Sequence, residues 1–505
     1  MLLHHFATSK RVRFKSTSQQ SPALSALLAV FALLLLLVPL AQAANNKFLI
    51  VSDIHFDPMA DTTLVPELAA GEPAQWEAIL QRSKLTRFSQ YGQDTNWWLL
   101  RSALDQMRKT LPHPAFVMYN GDLLAHGFPK AFRNATHDED PAHYRAFVLK
   151  TVQFLALEFQ KRYPGTTILV TPGNNDEECG DYSIRAGGTF LSDTASLAQQ
   201  LARASGTFAE EWKALGSYNL PHPTLPGVRI FSLNTVFFSN NYHATNFSQG
   251  CATVPSNGPA DALAWLAANL AAARQARERV WLIFHIPPGI DGYASTHKRQ
   301  TASEATSPTV SNSCVDMIVP MWVPEWTARF DAMLETYQDT ILASFSGHTH
   351  TDDFRLISSA GVNRAFVLAD PPVSPIYDQN PGFRVVTFAA DGSLADQTTY
   401  YLTNLKTASS TVPGRWKREY QFSREWKVRR LDLASLGKIY DEIQNTPSAR
   451  SQWLKLYNVS SAAAVVEPDS IRGLYCAIGA LSVPAYATCY CGTAPGQDGP
   501  ASKPK

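Results

Sequence analysis

FLIVSDIHFDP, residues 48–58, decides the reading: the apolar run Phe48 to Val51 breaks directly into Asp53-Ile54-His55. A short apolar run bounded by polar residues suits a strand covered on both faces. The Asp-x-His behind it places a carboxylate and an imidazole at the carboxyl end of that strand. The same construction recurs four more times. Ala115 to Tyr119 runs into Gly121-Asp122, Thr167 to Thr171 into Gly173-Asn174-Asn175-Asp176, Val280 to Phe284 into His285, and Ile341 to Phe345 into Gly347-His348-Thr349-His350. In open α/β sheets the carboxyl ends of the strands lie along one edge, so side chains far apart in sequence meet there. A single Asp-x-His or Gly-Asp is an ordinary turn. Five such junctions in one chain describe a binuclear metal site.

Outward from these runs the intervening sequence reads as helix. Trp97, Leu100, Leu104 and Met107 share one helical face, as do Phe147, Thr151, Phe154, Leu155 and Phe159. Another helix begins after Gly258-Pro259, with Asp261 near its positive end and Leu263, Leu266 and Leu270 on its buried side. Strands alternating with helices predict an α/β fold. Phe383 to Phe388 and Thr398 to Leu402 read as further strands. Leu436, Ile439, Tyr440 and Ile443 then mark a helix, and Thr446-Pro447 supplies an N-cap and a first helical proline ahead of Trp453, Leu454 and Tyr457. The expected organisation is a catalytic domain over residues 44–405, a helical C-terminal region over 406–491 and a disordered Gly-, Pro- and Lys-containing tail over 492–505.

The chain has 505 residues, 45% of them hydrophobic and 17% charged, enough for one large core and unlike a fibrous or disordered protein. Its first part carries Lys10, Arg11, Arg13 and Lys15, then an uncharged apolar stretch, then Ala41-Gln42-Ala43. That order predicts a signal peptide, residues 1–43, cut after Ala43, with an uncleaved membrane anchor as the alternative. Both place the body outside the cytoplasm. Loss of those four cations leaves a slight acidic excess, which argues against a nucleic-acid polymer as partner. Cys179, Cys251, Cys314, Cys476, Cys489 and Cys491 fit disulfides of an exported chain. Asn134, Asn246 and Asn458 open glycosylation sequons. His113, His137, His143, His222 and His297 lack motif neighbours and are read as surface residues.

The order Asp-x-His, Gly-Asp, Gly-Asn-x-Asp, His, Gly-His-x-His resembles the calcineurin-like metallophosphoesterases. SDIHFDP (52–58), GDLLAH (121–126), SLNTVFFSNNY (232–242), HIPPG (285–289), FSGHTHTDDF (345–354) and WLKLYNVSS (453–461) are similar to the acid sphingomyelinase-like branch. No saposin-like domain precedes the motifs, which favours the shorter members of that branch. The resemblance implies an αββα sandwich and two divalent cations. Asp53, His55 and His350 would hold one, Asn174, His285 and His348 the other, with Asp122 bridging. Zinc suits so many imidazoles best, manganese and iron being the alternatives. A hydroxide shared by the cations would attack phosphorus in phosphate mono- or diesters.

Asn175 departs from the pattern, which has a histidine there, and an amide is no general acid. It can still donate to a phosphoryl oxygen. His126, four residues past Asp122, is therefore assigned the proton for the leaving group. Asn240, Tyr242 and His243, in the loop after the SLNT segment, are candidates to shape the substrate pocket. Endopolyphosphatase-like or nucleotide phosphohydrolase activity, and an inactive metal-binding receptor, are the competing readings. A membrane lipid surface as the place of work and the oligomeric state stay open.

Overall fold

The computed structural model describes residues 46–242, 257–304 and 313–492. The segment assigned as signal peptide, His243, Cys251, Asn246 and all but the first residue of the assigned tail lie outside the described residues. Twelve strands form two sheets. The first has the order β12-β11-β10-β1-β2-β3 and the second β4-β5-β6-β7-β9-β8. In chain order these are β1 (Lys47–Val51), β2 (Val117–Tyr119), β3 (Ile168–Val170), β4 (Tyr218–Pro221), β5 (Val228–Leu233), β6 (Arg279–Phe284), β7 (Ile341–Ser346), β8 (Asp353–Ser359), β9 (Val362–Ala369), β10 (Gly382–Phe388), β11 (Leu394–Leu402) and β12 (Trp416–Gln421).

Each of the five apolar runs is a strand of the parallel part of a sheet: β1, β2 and β3 pair in parallel, as do β5, β6 and β7. The sheets meet through aromatic rings. Phe48 of β1 stacks on Phe116 with centroids 4.5 Å apart and meets Trp281 of β6 at 5.3 Å and Phe345 of β7 at 5.8 Å. Because Phe48 is fully buried at this seam, Phe48→Ala is expected to lower unfolding free energy by about 3–5 kcal/mol in a urea titration.

Helices α1 (Trp97–Thr110) and α2 (Pro141–Arg162) are capped by Asn96 and Asp140 and turn their predicted apolar faces inward. Tyr119 at the end of β2 touches Phe159 of α2, with centroids 5.6 Å apart. Helix α3 (Gly258–Ala276) buries Leu263, Leu266 and Leu270 and packs on β5 and β6. The mixed α/β architecture with helices on two facing sheets is therefore as read from the sequence.

Three readings change. The segment after residue 405 is not wholly helical, because β12 pairs with β11 and extends the first sheet before α5 (Leu433–Asn445) and α6 (Pro447–Tyr457) begin; helix α4, Gly292–Glu304, lies earlier in the chain. Thr446 stands at the N-cap of α6 but its side chain makes no capping bond; Pro447 alone marks that start. His222 is not on the surface: it is 5% exposed, among Phe116, Trp281 and Phe388, and burial lowers its pKa to about 4. Asn458 is buried and its Nδ2 donates to the Ala464 carbonyl, whereas Asn134 is exposed; a sequon does not carry burial.

Disulfides join Cys314 to Cys491 and Cys476 to Cys489, and Cys179 is also disulfide-bonded. No free cysteine is found among the described residues. They fasten the last turns of the chain and α7 (Pro468–Gly479) beside α4. Among the described residues no helix is long and apolar enough to cross a membrane.

Candidate metal centre

All seven predicted ligands come from the carboxyl ends of parallel strands: Asp53 and His55 after β1, Asp122 after β2, Asn174 after β3, His285 after β6, His348 and His350 after β7. They converge on one carboxylate. Asp122 Oδ2 lies 3.3 Å from His55 Nε2 and 3.2 Å from His285 Nε2. On one side of it, His350 Nε2 sits 3.0 Å from His55 Nε2 and 3.4 Å from Asp53 Oδ1. On the other, His285 Nε2 is 3.1 Å from Asn174 Oδ1, and the ligand atoms of Asp122, His285 and His348 lie within 4.8 Å of one another. The donors thus form two groups that share Asp122.

The chemistry of these atoms asks for cations. His55 Nδ1 faces the Leu124 carbonyl at 3.0 Å and His285 Nδ1 the Asn120 carbonyl at 2.6 Å. A carbonyl only accepts, so each ring carries its hydrogen on Nδ1. In its neutral form each ring then points an Nε2 lone pair at oxygen lone pairs and, for His55, at another imidazole. A positive charge between them reconciles that arrangement, and backbone carbonyls behind metal-binding imidazoles are how such rings are oriented. Side-chain electrostatics agree. Burial, reinforced by neighbouring imidazoles, lowers His55 to about 4 and His348 to about 3, keeping the neutral, ligating form. Burial alone would raise the Asp122 carboxyl, but His285 and His55 outweigh it and hold it well below the usual range. His285 is the converse: burial pushes it down, the Asp122 charge overrides, and it rises to about 9, so without a cation its Nε2 holds a proton toward Asp122, and a bound cation would take that proton's place. The residues present fit a pair of divalent cations.

The backbone is bent to make the site. Asp53, His55, Asp122, His348 and His350 all take positive φ, between 44° and 70°, a region that costs non-glycine residues free energy and collects at functional sites. Glycines let the loops close in: an added Cβ at Gly173 would overlap Asp122, and one at Gly347 would overlap Ser52. Asp176, a motif residue without an assigned role, holds the junctions together. Its carboxylate accepts from the N–H groups of Asp122, Leu123, Leu124 and Gly173 at 2.6 to 3.2 Å.

Asn175 bonds inward, its backbone N–H donating to Asp122 Oδ1 at 2.9 Å and its Nδ2 to Oδ2 at 3.1 Å. It fixes the Asp122 carboxylate. His126 stacks on His55, with centroids 4.1 Å apart, and keeps 29% of its side chain exposed. Its ring nitrogen lies within 4.8 Å of those of His55 and His350. Asp94, which the sequence reading missed, orients it: His126 N–H donates to Asp94 Oδ2 at 2.8 Å, and Nδ1 lies 3.1 Å from Oδ1. Ser374 Oγ donates to Asp94 at 3.0 Å. Burial lowers the His126 pKa, the Asp94 bond and charge raise it more, and the net shift is upward.

A cavity of about 280 Å³ opens beside His348, walled by Tyr182, Tyr293, Tyr377, Tyr457, Asp291 and Arg355 among others. Asn240 and Tyr242 are not in that wall. Asn240 is exposed, with its N–H donating to the Met321 carbonyl, and the Tyr242 ring turns onto Phe237. The neighbouring Asn241 instead reaches Tyr182, one of the walls.

The sequence pattern described as calcineurin-like phosphoesterase matches residues 46–352, more than half of the chain. The chain belongs to that family. As a calcineurin-like phosphoesterase it is a metal-dependent hydrolase of phosphoric esters. It is 24% identical over 464 residues to the human acid sphingomyelinase-like phosphodiesterase 3b, covering 89% of this chain and 91% of the relative. It is 27% identical over 426 residues to sphingomyelinase phosphodiesterase D of Dictyostelium discoideum, covering 78% and 83%. It is also 26% identical over 439 residues to the mouse cyclic GMP-AMP phosphodiesterase SMPDL3A, covering 83% and 86%.

Proposed function

We propose that this phosphoesterase is an exported phosphodiesterase, and that the observation carrying this reading is Asp122 Oδ2 set between His55 and His285. Asp53, His55 and His350 would hold one cation, Asn174, His285 and His348 the other, and Asp122 would serve both. Two divalent cations supply charge neutralisation for the phosphoryl oxygens and acidify a water for in-line displacement, and the imidazole-rich donor set suits zinc.

The chain's own residues do the rest. Asn175 keeps Asp122 in the orientation that faces both imidazoles. His126, with Nδ1 held by Asp94, presents Nε2 as the proton donor to the departing alkoxide. The 280 Å³ cavity gives the second ester substituent of a diester a place to sit, and its tyrosine walls suit an organic group. Relatives named for phosphodiesters as different as sphingomyelin and cyclic GMP-AMP support a diester substrate. Disulfides and the sequence before residue 44 support export.

A substrate panel tests the reading. Metal-reconstituted protein is expected to turn over bis-p-nitrophenyl phosphate faster than p-nitrophenyl phosphate, and to lose that activity to a chelator. Sphingomyelin, cyclic GMP-AMP, ATP and polyphosphate then rank the natural classes. Absence of turnover on all of them would favour a metal-binding receptor, the role that the missing histidine at Asn175 raises.

A further inference from the structure

Behind the metal centre a fully buried arginine joins the two sheets. Arg384 of β10 donates through Nη1 to Asp370 Oδ1 at 2.7 Å and through Nη2 to Asp352 Oδ1. Asp370 follows β9 and Asp352 precedes β8, so both carboxylates belong to the second sheet, whereas Arg384 belongs to the first. Each contact leads on to a ligand. Asp370 Oδ2 accepts from Asn120 Nδ2 at 2.7 Å, and the Asn120 carbonyl is the acceptor that fixes His285 Nδ1 at 2.6 Å. Asp352 lies two residues past His350 and also accepts from Tyr420 and Thr399, each at 2.7 Å. Asn120 thus touches the donor His285, whereas the guanidinium of Arg384 bonds to Asp370 and Asp352 and reaches the donors through them.

We propose that Arg384 is a positioning residue for both halves of the centre, acting on His285 through Asp370 and Asn120 and on His350 through the Asp352 turn; this rests on the metal-centre reading above. The physical reason lies in the cost of isolating buried charge. A guanidinium with no exposure must keep both carboxylates, and each carboxylate must keep its remaining donors. Asn120 therefore has one favoured side-chain position, tied to Asp370. Its carbonyl is fixed with it, and the imidazole of His285 follows. The branch to Asp352 holds the end of the loop that presents His350 on a backbone of positive φ, 53°. Two carboxylates in fixed register on a planar fork are an arrangement that lysine, a point donor, cannot reproduce.

The route is directional, and that separates it from a general brace. Cobalt(II) titration of metal-free protein, followed by visible absorption and by competition with a chromophoric chelator, resolves the two binding phases; the phase removed by His285→Ala marks that half-site. Asn120→Ala cuts the His285 branch directly and reaches the other half-site only through the longer bond, 3.3 Å, that Ser52 Oγ donates to the same carbonyl, Ser52 being bonded to Asp53. It is expected to weaken the His285 phase by about 10–100-fold, the usual effect of losing a partner behind a ligand, and the other phase clearly less. Arg384→Lys is expected to weaken both phases. Asp370→Asn, nearly isosteric, is expected to act as Asn120→Ala does and keeps the test open should Arg384→Lys not fold. Native far-ultraviolet circular dichroism accompanies each titration. Unchanged cobalt affinities, or equal loss at both phases in Asn120→Ala, would overturn the proposal. Cobalt binding is read without substrate, so this result stands apart from the outcome of the substrate panel.

Discussion

Asp122→Asn is expected to lose both bound cations and to lower kcat at least about 10³-fold, while the protein stays folded. The Asp122 carboxylate faces His55 on one side and His285 on the other, so in the proposed centre its charge would serve two cations at once. Replacing it with an amide removes that charge and puts an N–H₂ where an oxygen was. Oδ1 still has the Asn175 backbone N–H to accept, which sets the amide nitrogen toward the two Nε2 atoms once the Asn175 side-chain amide flips to offer its oxygen where Nδ2 was. Those nitrogens then have a hydrogen-bond donor in place of a cation, and the metal-free fold is kept. Stabilisation of developing phosphoryl charge by bound cations is worth several kcal/mol, and about 1.4 kcal/mol is tenfold in rate, which gives the expected size. Elemental analysis of dialysed protein together with kcat on bis-p-nitrophenyl phosphate checks it. Retention of both metals by Asp122→Asn would remove this residue as the bridge.

What could be read from sequence was whatever is local. The five strands and their ligands were legible because each ligand follows its strand within a few residues, so Phe48 to Val51 and Asp53 form one readable word. The helix stripes of α1 and α2 were legible for the same reason. His126 and Asp94 are 32 residues apart and meet because Phe56, past the end of β1, bridges Thr95 on one side and Leu124 on the other; nothing in Gln93-Asp94-Thr95 marks a partner for an imidazole. Arg384, Asp370 and Asn120 are a more distant case, joined across two sheets without any shared periodicity. His222 shows the opposite error. Lack of a motif suggested solvent, but its Nδ1 accepts two backbone N–H groups of its own turn, from Thr224 and Leu225, which lets the ring be buried neutral. Asn240 and Asn241 are neighbours in one short turn, and the direction each side chain takes there, which sequence does not carry, brings Asn241 to Tyr182 and leaves Asn240 exposed.

His126→Ala is expected to lower kcat by about 10²–10⁴-fold, the span of a positioned general acid, with both cations retained. His126 is in no contact that holds Asp122, and its ring stacks on the outer face of His55, so its removal leaves the bridging carboxylate and its two imidazoles in place. The loss should depend on the leaving group. A p-nitrophenolate departs without a proton and should show a small effect, whereas an alkoxide needs one and should show the full effect. Asp94→Asn refines the assignment. Burial draws the His126 pKa down and Asp94 draws it up further than that, so removing the charge lowers the pKa. A general acid works only while protonated, and activity falls as pH rises through its pKa. The alkaline limb of the kcat profile on an alkyl diester should therefore move to lower pH in Asp94→Asn, and that limb should vanish in His126→Ala. An unmoved alkaline limb in Asp94→Asn, or full alkyl-ester turnover by His126→Ala, would leave proton donation to some other group and reduce His126 to packing against His55.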